Sequence, residues 1–242
     1  MKVFASGSCR LVTAINNGHN KVTPIHSMLQ NYAGMNFLGK LHNTKQHIQF
    51  IKFIKDEIQI PPRILPQFLT SYNYSIFRNS KKYGYICDNF TSLPIKKASI
   101  KRQFDECEWY LFEICSLKLY RNSGFEVQFE LMNDKTYMLQ TETELLADLH
   151  TIRAMIPSNK KILFQTHFRP NIIHNDPSKT IEQREVIYNV VNKFCEETEN
   201  TFMYDPSILI RQNHSLFDGD VHFTLSGYAE SFQYIFNLFL KD

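Results

Sequence analysis

A chain of 242 residues with 43% hydrophobic and 14% aromatic side chains has ample material for a buried core, which argues against disorder and for one domain. The formal charge of +3 is spread along the sequence, and Lys81-Lys82, Lys96-Lys97 and Lys160-Lys161 read as solvated faces, so nucleic acid is not expected as a partner. Five cysteines without any Cys-x-x-Cys spacing speak against a disulfide framework or a zinc ribbon and for a reducing compartment.

No apolar run approaches the roughly 20 residues of a membrane span, and no charged segment followed by an apolar one opens the chain. The expectation is a soluble, cytoplasmic protein without a membrane partner. In chain order, Lys2-Val3-Phe4-Ala5 reads as a buried strand, followed after Gly7 by a helix presenting Leu11, Val12 and Ile15 and stopping at Asn17-Gly18. Met35 to Leu41 reads as a second strand. Thr44 is the expected cap of a helix carrying Ile48, Ile51, Ile54 and Ile58, which Pro61-Pro62 stops. Residues 61–108, rich in prolines and scattered aromatics, read as an irregular or β-rich insertion near the sheet edge.

Trp109 to Cys115 is the expected third strand, and 117–131 a hairpin turning at Asn122-Ser123-Gly124. A helix marked by Leu145, Leu149, Ile152 and Ile156 ends at Pro157. The fourth strand is Lys161 to Thr166, a long helix runs from about Ser178 to Glu199, and the fifth strand is Thr201 to Tyr204. A final helix presents Tyr228, Phe232, Ile235, Phe236 and Phe239. This alternation predicts a single three-layer α/β domain over 1–242, with a mainly parallel five-stranded sheet and the insertion at 61–108.

Chemistry-bearing residues gather at the two ends. Ser6-Gly7-Ser8-Cys9-Arg10 places a serine on a glycine turn between strand and helix, where its hydroxyl is displayed beside helix N–H groups. Ser8 is therefore either a nucleophile or a helix cap, and Cys9 is a rival nucleophile, although its position should point it into the helix–sheet interface. Asp218-Gly219-Asp220-Val221-His222 precedes the last helix and offers an imidazole base with a carboxylate, Asp220 or Asp218, to orient it. In a parallel sheet the strand ends line up along one edge, so these two motifs can meet. His167 and Arg169, after the fourth strand, belong to the same edge and are either substrate contacts or ordinary loop residues. Glu113, inside an apolar strand, must be paired or protonated, so it is either an inner-site group or, the favoured structural reading, an ion-pair partner for Lys118 or Lys40. No metal-ligand spacing, P-loop or Gly-x-Gly-x-x-Gly occurs, so neither a metal nor a cofactor is expected.

These terminal motifs resemble those of the SGNH (GDSL-like) hydrolases, and the opening is similar to the subgroup with a Gly-Ser-Cys nucleophile turn. The resemblance implies a flavodoxin-like fold in which Ser8 is the nucleophile and His222 the base. The family's Asp-x-x-His is not kept, because Gly219 stands three residues before His222. SGNH-like glycan acetyltransferases with Asp-x-His make Asp220 the first choice and Asp218 the reserve. The family's oxyanion donors map onto the Gly39 N–H and the Asn43 side chain, beside the Ser8 N–H, with Asn43 as a mere cap the competing reading. No Gly-x-Asn-Asp follows the third strand, where Glu113-Ile114-Cys115-Ser116 stands instead. The implied function is a serine esterase acting on a small acyl ester, most simply an O-acetyl group on a carbohydrate. The alternatives are acyl transfer to a glycan hydroxyl by the same residues, and a non-catalytic glycan-binding domain.

Overall fold

The structure, a computed structural model, describes residues 1–18, 20–24, 41–61, 64, 97–127, 137–219 and 222–241. Its centre is a parallel sheet of four strands, β1 (Lys2–Ser6), β3 (Trp109–Ile114), β8 (Lys161–Thr166) and β9 (Thr201–Tyr204), extended at one edge by the two-residue β2 (Thr23–Pro24). The order is β2-β1-β3-β8-β9, and every neighbouring pair is parallel. Between β3 and β8 lie the small antiparallel pairs β4 (Lys118–Leu119) with β7 (Met138–Leu139), and β5 (Arg121–Asn122) with β6 (Phe125–Glu126).

β3 and most of β1 and β8 are buried on both sides, as strands of a sheet covered on each face must be. On one face Phe4, Tyr110, Phe112 and Phe164 pack against α2 (Thr44–Ile54), α3 (Lys97–Asp105), α4 (Glu142–Met155) and α6 (Glu182–Glu197). On the other, Val3, Ala5, Leu111 and Leu163 meet α1 (Cys9–Asn17), α7 (Pro206–Gln212) and α8 (Leu225–Ile235). The single turn Pro170–Ile173 is α5. This is a three-layer α/β architecture with flavodoxin-like strand order, and such sheets bind ligands outside the carboxyl ends of the strands where the order reverses, here between β1 and β3.

Several expectations are corrected. The cap of α2 is Asn43, whose side chain accepts the Gln46 N–H, and the helix ends before Ile58. Within the span read as irregular or β-rich, residues 97–105 are helical. The second strand expected at 35–41 lies outside the described residues except for Leu41, which is not in a strand; β2 occupies the sheet edge beside β1. α5 and α7 were not expected. Among the described residues no helix is long and apolar enough to cross a membrane.

Candidate active site at the carboxyl edge of the sheet

β1 delivers Ser8 to the point where the strand order reverses. Gly7 is required there, because a Cβ at this position would lie 2.6 Å from the Glu113 Cβ. Ser8 N-caps α1, its Oγ accepting the Arg10 N–H at 3.3 Å, and the residue is 3% exposed. The cap uses an oxygen lone pair, so the hydroxyl proton is left to donate. Both the capping and the nucleophile readings are thus compatible with one geometry.

Glu113 is the centre of the site. Its fully buried carboxylate accepts the Ser8 N–H at 2.6 Å through Oε2 and the Arg10 Nε at 2.6 Å through Oε1. Its partner is Arg10, not Lys118; Lys40 lies outside the described residues. Burial opposes the Arg10 charge, but Glu113 and Cys115 beside it outweigh burial and raise its pKa above the ordinary value. Losing either member of such a pair would strand a buried charge, at a cost of about 3–5 kcal/mol. The Ser8 N–H, expected to face an oxyanion, is held by this carboxylate.

His47 braces the same strand end from α2. Its Nε2 is 2.9 Å from the Glu113 carbonyl, which can only accept, so Nε2 carries the proton and Nδ1 accepts from Ser6 Oγ at 2.9 Å. Burial pushes the His47 pKa down to about 4, only partly countered by the bond to Glu113. Cys115 is pushed up to about 12, first by burial and then by Glu113, and is a thiol without nucleophilic character at neutral pH. Gln165 is the register partner of Glu113; it is fully buried, and its amide has no hydrogen-bond partner among the described residues.

After β8, the His167 Nδ1 donates to the Phe168 carbonyl at 3.3 Å, leaving Nε2 with its lone pair. Burial, then the charges of Arg10 and Arg184, push the His167 pKa far down, so the ring is neutral. Arg184, at the start of α6, donates from Nη1 to the same carbonyl at 2.8 Å. The Arg10 guanidinium lies 5.7 Å above the Phe168 ring.

The C-terminal motif reaches this edge through aromatic packing. Phe217 and Phe223 form an antiparallel bridge, the Asp218 N–H donates to the His222 carbonyl at 3.3 Å, and Thr224 caps α8. Phe223 packs edge-on to Phe168 at 4.9 Å and to Tyr228 at 5.5 Å. The Tyr228 hydroxyl meets the Cys9 thiol, and burial first, then Cys9, raises its pKa. Cys9 accordingly faces α8, and half-buried His222 sits one residue before the Phe223 anchor.

Two expected substrate contacts take other roles. Asn43 is 1% exposed; its Oδ1 caps α2 and its Nδ2 donates to the Lys118 carbonyl at 3.0 Å, so its amide serves the fold rather than an oxyanion. The Arg169 guanidinium is bound by Asp205 at 2.6 Å and Glu185 at 3.0 Å and lies 3.5 Å over the Tyr188 ring, a clamp joining β8, β9 and α6. Asp218 is exposed, while Asp220 and Gly39 lie outside the described residues. The sequence reading missed Arg10, His47 and Arg184; for Arg10 a signal existed, since an acid inside an apolar strand demands a cation. Among the described residues no group of three or more His, Cys, Asp or Glu is placed to hold a metal ion.

Direct comparison with curated protein sequences gives no match. Among solved structures, an acetyl xylan esterase from the rumen bacterium Butyrivibrio proteoclasticus is similar at 12% identity and a TM-score of 0.32, over 98% of this chain and 63% of that one. The chain therefore spans less than two thirds of that enzyme's length. The family model of the TviD N-terminal domain matches residues 1–138, more than half of the chain, and includes β1, the Ser8 turn and Glu113. The chain belongs to the family of the TviD N-terminal domain.

Proposed function

We propose that the protein is an SGNH-type serine enzyme that cleaves or transfers a small acyl group, most simply acetyl, on a carbohydrate. One observation carries this reading: Ser8 stands at the carboxyl end of β1, at the reversal of strand order, on a turn clamped by the buried Arg10–Glu113 pair. Membership of the TviD N-terminal domain family supports an acetyltransferase-related role.

In this reading His222 takes the Ser8 proton as Oγ bonds to the ester carbonyl carbon. The C–O bond to the sugar then breaks, and His222 returns the proton to the leaving hydroxyl. Asp220, or Asp218 in its place, orients the imidazole. The acyl-enzyme passes its acyl group to water in an esterase or to a second sugar hydroxyl in a transferase. Because Glu113 holds the Ser8 N–H and Asn43 serves as a cap, the oxyanion is assigned other donors, with the Gly39 N–H the first of them.

Release of acetate from an acetylated sugar, with and without an unacetylated acceptor sugar, tests the reading. Wild-type protein is expected to release or transfer acetate, and Ser8→Ala to lose at least about 1,000-fold in rate. Activity that survives in Ser8→Ala would overturn the nucleophile. No activity in a folded wild-type protein would favour the non-catalytic glycan-binding alternative.

A further inference from the structure

Two buried arginines at the carboxyl edge have carboxylate partners. Arg10 has Glu113, and Arg169 has both Asp205 and Glu185. Arg184 is different. Among the described residues it makes no ion pair, and its one hydrogen bond runs to the Phe168 carbonyl. Its neighbour in sequence, Glu185, is turned to Arg169.

Three basic groups thus surround Phe168: Arg184 and His167 on its carbonyl, and Arg10 over its ring. Of these only Arg10 meets a carboxylate. Electrostatics registers the excess, for burial and then the Arg10 charge lower the Arg184 pKa to about 10, and His167 is held neutral by burial and both arginines. Arg10 is buried and already neutralised by Glu113, so among the described residues it is half-buried Arg184 whose charge is left without a carboxylate, and a guanidinium fork matches a carboxylate or phosphate in shape.

We propose that Arg184, beside Arg10 and His167, forms a subsite for an oxyanion, carboxylate or phosphate, carried by the carbohydrate whose ester Ser8 attacks. Arg184 takes the anion. The His167 Nε2 lone pair takes a neighbouring sugar hydroxyl, which donates to it. The link to Ser8 rests on the catalytic reading above, whereas binding of the anion needs no turnover.

The test is calorimetric titration of the intact protein, at low ionic strength, with D-glucuronate, glucose 1-phosphate and glucose. At least one anion is expected to bind and glucose not; glucuronate alone would identify a carboxylate, glucose 1-phosphate alone a phosphate, and both a general oxyanion subsite. Arg184→Gln should weaken binding at least about 10-fold, with Arg184→Lys intermediate. Lys193→Gln, on an exposed face of α6, should bind as wild type. Equal affinity in Arg184→Gln and wild type, or no preference for either anion over glucose, would overturn the subsite. Should Arg184→Gln fail to fold, phenylglyoxal modification of Arg184 in wild-type protein decides: protection by an anion but not by glucose is expected, and an unchanged rate refutes it. Anion binding without esterase or transferase activity would keep the subsite and remove the catalytic reading; activity on neutral esters without anion binding would do the reverse.

Discussion

At Ser8 the chain resolves a conflict between two demands. A tight turn between strand and helix must be rigid, and its N–H groups must also be satisfied when buried. Glu113 meets both by accepting the Ser8 N–H and neutralising Arg10, while His47 holds the backbone of Glu113 itself. His47 makes this arrangement sensitive to pH. Its folded pKa of about 4 lies below the ordinary 6.5, so the unfolded chain binds the extra proton between those values. Stability from this group is fully present above pH 6.5 and is lost as pH falls toward 4, an effect of about 3 kcal/mol. His167, neutral for the same reason, acts in the same direction. Urea unfolding at pH 7 and pH 4.5 is therefore expected to show a loss of stability that is smaller by about 2–3 kcal/mol in His47→Gln, which keeps a donor for the Glu113 carbonyl. Identical losses in both proteins would contradict the role given to His47.

Among the elements, the packing of α1 on α8 brings the two terminal motifs to one face of the sheet. Gly18, just past the end of α1, allows that approach: a Cβ there would stand 2.0 Å from the Phe232 ring, which is 1% exposed and has no room to retreat. Gly18→Ala is expected to cost about 2 kcal/mol and lower Tm by roughly 4–8 °C, measured by thermal unfolding. An unchanged Tm would contradict this contact. β1, β3, β8 and β9 were legible because their sequences are short apolar runs between turn residues, as Lys161 to Thr166 shows, whereas the two-residue β2 is too short to read. α3 was not, since Lys97 to Asp105 is too polar for a clear helical stripe. α7 was hidden too, because seven residues opening on Pro206 give little periodicity to read.

For the whole molecule, alternating strands and helices implied a three-layer parallel sheet, and the strand order then sets where a ligand can bind. The sequence offered candidates for the site where chemistry coincides with a turn, at Ser8 and His222, whose roles belong to the proposed function. Glu113 was visible as an anomaly, but its partner Arg10, 103 residues away in sequence, required the fold. His47 and Arg184 gave no signal, because their roles come from what they meet across the sheet edge. For Asn43 and Arg169 the sequence left two roles open, and the fold shows the structural one: at a sheet edge, capping and ion pairing claim polar side chains as readily as a substrate does.

The central claim is that Ser8 is an activated nucleophile served by His222. Labelling of the purified protein with a fluorophosphonate, read by intact mass and peptide mapping, tests it most directly. One adduct on Ser8, absent in Ser8→Ala and abolished or strongly slowed in His222→Ala, is the expected result. A folded protein that takes no label, or labels equally well without His222, would contradict it.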